Sequence, residues 1–247
     1  MDTTETEMTH KLSYKEVFTS PLYSRATFVG CCLAVFQQLT GINIIMFYSS
    51  KIFEKANLAL SAQSVTGLVG GVNFVTTLGG MALLTYAGRR TIMLWGNLLM
   101  ASVLLGLGVC SLVDQKLLEI VLLLCFIALF EFSSGPITWL YMAEIMQDKA
   151  VSIATVLNWL ISLIVSATIP SILKAIGDDN IGYIFIFVGG CTAAGTLFIF
   201  AFMKETRGKS PQEIEELFVI DKEYREANVA RRITEDIVNG SEQHSLK

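Results

Sequence analysis

Long stretches without any charged side chain dominate this sequence. Five of them are residues 26–50, 56–88, 91–113, 150–173 and 180–203, and a sixth, 117–142, is equally apolar apart from Glu119 and Glu131. About 20 mostly apolar residues suffice for an α-helix to cross a bilayer, so each stretch is long enough to span one. Of the 18 basic and 22 acidic residues, only 15 lie between residues 26 and 203. The sequence therefore predicts an all-α membrane protein with six transmembrane helices in a lipid bilayer.

The distribution of charge divides the chain into three predicted regions. Residues 1–24 form an N-terminal segment with a short helix, residues 25–203 form the six-helix transmembrane bundle, and residues 204–247 form a tail with an amphipathic helix and a disordered end. Residues 13–16 and 210–213 both fit the capping-box pattern that begins a helix. Ile214, Leu217 and Phe218 would share one face of the second helix. That helix is either solvated near the lipid headgroups or packed against the bundle as a cytoplasmic clasp. The spacing of its apolar residues favours neither interpretation.

Six spans place both chain termini on the same side of the membrane. Near the ends of the spans, nine Lys and Arg residues lie on the side of the termini and four on the opposite side. Cytoplasmic loops carry an excess of Lys and Arg. Both termini are therefore predicted to be cytoplasmic.

Several classes of function are excluded by the charged and metal-binding residues. The net charge is −4 and no basic cluster is present, whereas nucleic-acid binding requires several Lys or Arg on one face. His10 and His244 lie in the polar tails, and the five cysteines lack the paired spacing of a metal site. The sequence thus predicts no nucleic-acid partner, no metal, no cofactor and no catalytic residue.

The spans divide into two units of three, separated by the short loop at residues 114–116. The first span of each unit is interrupted, by Thr40 and Gly41 in span one and by residues 133–136 in span four. Breaks at equivalent positions of two three-helix units are typical of an inverted repeat whose binding site lies near the membrane midplane. A tight turn is predicted at residues 88–90, with Arg89 and Arg90 ending span two.

Span one carries three amide side chains within an otherwise apolar run. A straight helix would place Asn43 about 120° from Gln37, so the two amides would not face the same cavity. Unwinding at Gly41 would let Gln37, Gln38 and Asn43 converge. Amides in membrane helices also bridge neighbouring helices without binding any ligand. The spacing leaves both interpretations open.

Two further polar residues and a tryptophan are candidate ligand contacts. Asn73 lies in a stripe of small residues on span two, which indicates either close helix packing or a ligand. Glu131 lies near the middle of span four, where an ionisable side chain is costly and usually functional, although a neighbouring hydroxyl could be its structural partner. Trp139 could cover the apolar face of a ring. Because amides donate and accept hydrogen bonds, the set suits a neutral polyhydroxy solute.

The residues 37–43, Gln-Gln-Leu-Thr-Gly-Ile-Asn, resemble the motif that opens the seventh helix in the sugar porter family of the major facilitator superfamily. The resemblance continues at residues 88–90, 135–139, 158–159 and 205–209. It implies six transmembrane helices as a 3+3 inverted repeat, which is half of a major facilitator fold. It covers only the C-terminal half of a twelve-helix protein, so it also implies a partner bundle of six N-terminal helices.

The resemblance assigns roles to two groups of residues. The implied substrate-binding residues are Gln37, Gln38, Asn43, Asn73, Glu131 and Trp139. The implied cytoplasmic gating residues are Arg89, Arg90, Glu144 and Glu205. This chain departs from the family pattern at Thr85 and Tyr86, which replace an acid and an arginine, and at Thr138, which replaces a proline. The opposite charges of the gate are expected to pair when the cytoplasmic side is closed.

The resemblance implies transport of a neutral monosaccharide of the hexose type, or of a polyol, by alternating access. The protein would be a multi-pass protein of the plasma membrane and would change nothing chemically in its substrate. The alternative is a sugar sensor that does not transport, or a truncated membrane interaction partner. A long structured cytoplasmic extension would favour sensing, and the tail beyond residue 203 is short for that role.

Overall fold

The computed structural model describes residues 13–55, 62–177 and 180–219. Within these ranges the chain is α-helical without β-strands, which confirms the predicted fold class. The helices are α1 (Glu16–Thr19), α2 (Ser24–Leu39), α3 (Ile42–Lys55), α4 (Ala62–Tyr86), α5 (Arg89–Leu112), α6 (Lys116–Phe132), α7 (Ser134–Ile145), α8 (Asp148–Ile176), α9 (Ile181–Phe202) and α10 (Pro211–Phe218).

Six helical segments of the described chain are long and apolar enough to cross a membrane, as predicted. Spans one and four are each built from two helices, α2 with α3 and α6 with α7, whereas α4, α5, α8 and α9 each form a span alone. The fifth span is longer than its charge-free run, because α8 begins at Asp148 and ends at Ile176. Its charged residues lie in the first and last turns, where side chains reach beyond the hydrocarbon core.

The breaks predicted in spans one and four are both present. Gly41 separates α2 from α3 with a φ of 80°, a left-handed conformation that a residue with a Cβ rarely adopts. Ser133 separates α6 from α7, and its φ of −130° and ψ of −92° are not helical. Gly135 and Pro136 already belong to the first turn of α7, where a proline removes no helical hydrogen bond. The break in span four is therefore narrower than the predicted four residues.

The most extensive helix pair consists of α5 and α9, the third spans of the two units. Their backbones approach closely at two glycines. A Cβ at Gly182 would lie 2.5 Å from the Gly108 carbonyl oxygen, and one at Gly108 would lie 2.7 Å from the Gly182 carbonyl oxygen. Small residues permit such close approach between membrane helices. The two helices therefore pack backbone to backbone at these glycines.

Burial is distributed unevenly among the spans. The largest apolar cluster joins α3, α4, α5, α6 and α9, and α8 contributes only Leu173 to its buried residues. In contrast, α4 and α8 are the least buried spans, and most of their surface lies outside the apolar clusters. Large apolar side chains such as Phe74 on α4 and Leu163 on α8 are about two-thirds exposed. These two helices therefore present the broadest apolar surfaces to lipid or to another bundle.

The position predicted for the two arginines at the end of span two is wrong. Helix α4 ends at Tyr86, Gly88 is the N-cap residue of α5, and Arg89 and Arg90 form the first turn of α5. The connection between α4 and α5 consists of Ala87 and Gly88, so the turn precedes the two arginines. The two arginines therefore extend from the start of span three.

The two predicted capping boxes differ in the structure. At the second, the Ser210 hydroxyl accepts from the Glu213 amide and the Glu213 carboxylate accepts from the Ser210 amide, which completes the box. At the first, the Ser13 amide donates to the Glu16 carboxylate at 2.6 Å, but the Ser13 side chain does not cap α1. The local pattern therefore predicted one complete box correctly and only half of the other.

Helix α10 packs against the bundle, as the clasp interpretation proposes. Ile214 and Phe218 are buried, and Phe218 lies in an apolar cluster with Tyr141 of α7 and Met203. Burial, and secondarily the charge of Glu216, raise the pKa of Glu215. A raised pKa means that the packed helix favours the neutral carboxyl of Glu215. The resulting stabilisation of the packed helix is fully present at low pH and is lost as the pH rises through the titration range of Glu215. The predicted disordered end lies outside the described residues.

Candidate functional site

The amide side chains of span one form a connected series of hydrogen bonds with α8. Asn43 Nδ2 donates to Gln38 Oε1 at 2.8 Å, and Gln38 Nε2 donates to Asn158 Oδ1 at 2.9 Å. Asn158 Nδ2 then donates to Gln37 Oε1 at 2.9 Å. Each amide thus donates to the next, and the four are called the amide chain below. The break at Gly41 brings Asn43 back to Gln38, as the convergence prediction requires.

The amide chain ends at the break in span four. Gln37 Nε2 donates to the carbonyl oxygens of Ser134 at 2.8 Å and Gly135 at 3.1 Å. At its other end, Asn43 Nδ2 also donates to the Ser162 hydroxyl at 2.9 Å. Gln37 and Gln38 are buried, at 5% and 9% exposure. The two glutamines therefore bridge helices in this conformation, and Asn43 is the more accessible amide.

A second contact holds the same break from the side of α5. Asn97 Nδ2 donates to the Ser134 hydroxyl at 2.9 Å, and that hydroxyl lies 3.1 Å from Asn97 Oδ1. Asn97 also donates to the Met93 carbonyl, and it is buried. Ser134 is thus bound through its carbonyl to span one and through its side chain to α5, which packs closely on α9.

Glu131 lies in a separate polar group between α4 and α6. Asn73 Nδ2 donates to Glu131 Oε1 at 2.6 Å, and Thr77 Oγ1 lies 2.9 Å from Glu131 Oε2. The partner hydroxyl considered for Glu131 is therefore present, and Asn73 contacts the carboxylate. Glu131 lies two residues before the break at Ser133. Both polar groups therefore lie beside the same interruption of span four, without a hydrogen bond between them among those described.

The structure does not bring all six predicted substrate residues into direct contact. Gln37, Gln38 and Asn43 are linked through Asn158, and Asn73 is linked to Glu131. Trp139 follows the break in α7 and is 36% exposed. Its ring is therefore available for a contact outside the bundle.

Two residues of this region were not among the predicted site residues. Asn158 is 1% exposed and orients both glutamines, and Asn97 anchors Ser134. The signal available for Asn97 is a single amide in an apolar run, which could not be distinguished from helix packing. Asn158 lies in the family motif at residues 158–159, which marks the position but does not identify its hydrogen-bond partners.

An ion pair joins the two three-helix units at one end of the bundle. Arg89 Nη2 lies 2.8 Å from Glu144 Oε1, and Arg89 Nε donates to the same oxygen at 3.0 Å. The Thr206 hydroxyl donates to the other oxygen of Glu144 at 2.6 Å. Arg89 of α5 is thus held at the end of α7. The predicted contact between these opposite charges is present.

Glu205 contacts backbone amides. The gating role implied by the family pattern would instead pair its carboxylate with arginine side chains. Its carboxylate accepts from the backbone amides of Arg89 at 2.9 Å and Arg90 at 3.2 Å. It also accepts from the Arg207 amide at 3.1 Å, and Gly88 leaves the space that the carboxylate occupies. A negative charge at unpaired amides stabilises the start of a helix. Glu205 is therefore a cap of α5 in this conformation.

At the same end of the bundle, the side chains of two arginines donate hydrogen bonds to backbone carbonyl oxygens. Arg90 donates to the Phe200 carbonyl at 2.8 Å, and its guanidinium lies 5.8 Å from the centre of the Phe200 ring. Arg207 donates to the carbonyls of Thr85 and Tyr86, each at 2.6 Å. Residues 85 and 86 therefore contribute their backbone where the family pattern has charged side chains.

These features together define a class of protein. Six spans in two units of three, broken first helices and polar groups beside the break in span four define the inverted-repeat architecture that is typical of membrane transporters. The family model described as Sugar (and other) transporter matches residues 1–218, and the chain belongs to that family. This is a family of transporters, in agreement with the prediction that the chain is not an enzyme.

Relatives and solved structures support the same assignment. The chain is 32% identical to the facilitated trehalose transporter Tret1 of Bombyx mori, over 86% of this chain and 44% of that protein. It is 34% identical to the glucose transporter GlcP of Staphylococcus epidermidis, over 81% of this chain and 46% of that protein. The structure of the proton:xylose symporter XylE matches with a TM-score of 0.71 and 28% identity, covering 78% of this chain and 42% of XylE.

Those matches confirm the fold class and define its extent. XylE is a major facilitator protein, and the described helices correspond to part of its structure. The chain spans about half the length of the curated relatives it matches. The six spans therefore have the architecture of half a major facilitator fold, in an integral, multi-pass membrane protein.

Proposed function

We propose that this chain is the C-terminal half of a transporter that moves a neutral monosaccharide of the hexose type by alternating access. The observation that carries the proposal is the amide chain, which runs from Asn43 to the break at Ser133 and so connects the candidate site to the backbone that must bend. Relatives named for trehalose, glucose and xylose transport support a neutral polyhydroxy substrate.

The proposed substrate site uses both polar groups at the break. Asn43 is its most accessible amide, and Gln38 positions it through the bond at 2.8 Å. Gln37 links the site to the break, while Asn73 and Glu131 supply polar groups on the other flank. Trp139 offers its exposed ring to the apolar face of the sugar. Amide and carboxylate groups can bind hydroxyls without requiring a charged substrate.

A six-helix N-terminal bundle is the proposed partner. The chain spans about half the length of its relatives, and α4 and α8 leave broad surfaces uncovered. The proposal places the protein in the plasma membrane with both termini in the cytoplasm, supported by the excess of Lys and Arg on that side. Arg89, Arg90, Glu144 and Glu205 then lie at the cytoplasmic end, where they serve as the gate.

Loss of either central amide is expected to weaken sugar binding. In the twelve-helix transporter, with an N-terminal six-helix bundle restored, Gln38→Ala and Asn43→Ala should each weaken glucose binding by roughly 1–3 kcal/mol, because each removes one or two hydrogen bonds of the proposed site. Ligand-observed saturation-transfer NMR measures this affinity even in the millimolar range. Gln63→Ala removes an exposed amide at the start of α4 and should leave binding unchanged.

Protein level and melting temperature are measured on the same samples. If the variants disappear from the membrane while the surviving protein binds glucose normally, the amides serve helix packing and the site assignment is wrong. Equal weakening by Gln63→Ala would also contradict the assignment.

The ion pair at the gate is expected to control the balance between inward-open and outward-open states. Partly exposed pairs contribute about 0–1 kcal/mol, so Glu144→Gln in the twelve-helix transporter should raise inward-open accessibility by up to about fivefold. Arg89→Gln should have the same effect, and the double variant should not add fully because the two residues share one contact. The labelling rate of Ser152→Cys, placed near the start of α8 in a cysteine-free background, measures the shift.

A matched control exists at the opposite end of the bundle. Asp114 and Lys116 form an exposed pair at 3.7 Å, so Asp114→Asn removes a similar contact away from the gate. It should leave the labelling rate unchanged. Normal labelling in both gate variants at normal expression would restrict Arg89 and Glu144 to a role in membrane topology.

A further inference from the structure

Thr138 of α7 has a buried hydroxyl without a hydrogen-bond partner. Its side chain is 0% exposed, and its Oγ1 is one of two buried side-chain polar atoms that are unpaired among the described residues. Burying a hydroxyl without a hydrogen bond is unfavourable, so such groups are rare in native structures and each calls for a physical reason. Thr138 lies four residues after Ser134, which is the first residue of the helix beyond the break in span four.

Other hydroxyls within the described helices donate to a backbone carbonyl of the preceding turn. Thr155 on α8 and Thr192 on α9 each donate to the carbonyl four residues earlier, at 2.8 Å. The corresponding acceptors for Thr138 are the carbonyls of Ser134 and Gly135, four and three residues earlier. A helical threonine has two accessible rotamers and reaches such a carbonyl from one of them. The helix itself therefore does not prevent Thr138 from making this bond.

The side chain of Gln37 already occupies both acceptors. Its Nε2 donates to the carbonyl of Ser134 at 2.8 Å and to that of Gly135 at 3.1 Å. A carbonyl oxygen has two lone pairs, and in an α-helix one of them accepts from the amide four residues later. Gln37 takes the second lone pair. The Gln37 amide and the Thr138 hydroxyl are therefore competing donors for the same carbonyl oxygens at the break.

Gln37 is one of the proposed substrate residues, and its amide is fully engaged. Its Oε1 accepts from Asn158 at 2.9 Å, and its Nε2 is bound to the break. To donate to a sugar hydroxyl, Gln37 must release the Ser134 carbonyl. An acceptor that loses its buried hydrogen bond is costly unless another donor replaces the first. The Thr138 hydroxyl is such a donor, and a change of one rotamer brings it to the carbonyl.

We propose that Thr138 is a positioning residue whose hydroxyl replaces Gln37 at the Ser134 carbonyl when Gln37 turns to the sugar. The inference rests on the proposed function for the ligand that draws Gln37 away. The sugar meets Asn43, the more accessible amide, before it reaches Gln37. The exchange then pairs a hydroxyl that was unpaired and leaves the carbonyl at the break paired in both states. Thr138 thus contributes to sugar affinity without contacting the sugar.

The exchange distinguishes this chain from the family pattern, which has proline in place of Thr138. Proline has neither an N–H nor a hydroxyl, so it could donate nothing to the Ser134 carbonyl. That carbonyl would then depend on Gln37 alone, and its release would leave an unpaired acceptor within the membrane. Threonine supplies a helical N–H and a spare hydroxyl, so the release of Gln37 costs less in this chain.

The first test measures stability and requires no sugar. Thr138→Val keeps the shape of the side chain and removes an unpaired hydroxyl, so the 247-residue chain in detergent should melt about 2–4 °C higher. Thr192→Val is the matched control, because the buried Thr192 hydroxyl is bonded to the Val188 carbonyl and its loss should lower the melting temperature. In a Gln37→Ala background the Thr138 hydroxyl takes the vacated carbonyl, so Thr138→Val should now lower the melting temperature as well.

The second test measures glucose affinity in the twelve-helix transporter by saturation-transfer NMR. Thr138→Val should weaken binding about threefold to tenfold, because Gln37 can no longer be replaced at the break. Thr138→Ser retains the hydroxyl and should bind glucose as the parent protein does. In the Gln37→Ala background, Thr138→Val should cause no further loss of affinity, because the two side chains act through one carbonyl.

The two tests separate the inference from the proposed function. A melting temperature that falls with Thr138→Val in the parent chain, or that rises equally in both backgrounds, would overturn the exchange. Unchanged glucose affinity in Thr138→Val would overturn its role in sugar binding. If glucose binding depends on neither Gln38 nor Asn43, the proposed function is wrong, and the reversal in melting temperature, measured without sugar, still decides whether Thr138 and Gln37 compete.

Discussion

Liposomes that contain only this 247-residue chain are expected to show no saturable, stereoselective uptake of labelled glucose. Alternating access requires a site enclosed between two bundles that rock against each other, and this chain supplies the residues of one bundle. Uptake above the passive leak should therefore be absent rather than merely reduced. Initial rates for D-glucose and L-glucose measure the effect, because a carrier distinguishes the two and a leak does not.

The matched positive control is the glucose transporter of Staphylococcus epidermidis, purified and reconstituted in the same way. A second arm adds the N-terminal half of that protein as a separate chain, which tests whether a second bundle restores stereoselective uptake. Saturable uptake by the monomeric chain alone would contradict the half-transporter proposal. Uptake that depends on a cross-linkable homodimer would show that a second copy supplies the missing surface.

Gly182→Leu is expected to destabilise the fold more than any other substitution considered above. A side chain at this position would meet the backbone of α5, which cannot rotate away as a flexible side chain can. The helices must separate, and overpacking of this kind costs roughly 3 kcal/mol or more. The melting temperature in detergent and the yield of monodisperse protein on size-exclusion chromatography should both fall sharply.

Gly190→Leu provides the control on the same helix. Nothing lies within 4 Å of a Cβ at Gly190, so this variant adds the same side chain without a collision. It should keep the melting temperature of the parent chain. Equal losses in the two variants would mean that leucine is harmful anywhere on α9, and the close approach of α5 and α9 would not explain the effect.

Much of the fold followed from the sequence because membrane spans obey local rules. The length of each charge-free run predicts a crossing helix, and Gly41 and Ser133 weaken helices within their own neighbourhoods. The capping box at Ser210 is likewise complete within four residues. These features depend on residues that are adjacent in the chain, so no knowledge of helix packing is needed to predict them.

The contacts that build the site are not local in this sense. Gln38 and Asn158 are 120 positions apart, and Gln37 reaches Ser134 across 97 positions. A lone amide in an apolar run indicates a polar contact but does not identify the partner. Asn97 was therefore missed, and Asn158 was noted only as part of the motif at residues 158–159, without a role in the site. Glu205 was interpreted through its charge, whereas its carboxylate binds backbone amides that every residue possesses.

The direction of the hydrogen bonds in the amide chain has a consequence for substitutions. From Asn43 through Gln38 and Asn158 to Gln37, each side chain donates from its nitrogen, and the last three also accept at their oxygens. Their dipoles point the same way, so each bond polarises the next. A hydroxyl that donates to the Asn43 oxygen would lengthen this series and strengthen its last bond, to the Ser134 carbonyl. Gln38→Glu keeps the shape of the side chain but removes its donor, and two oxygens would then face each other at Asn158. The series therefore has a direction, which a glutamate of equal size interrupts at one link, and under the proposed function a sugar hydroxyl bound at Asn43 would reach the hinge at Ser134 as a change in dipole.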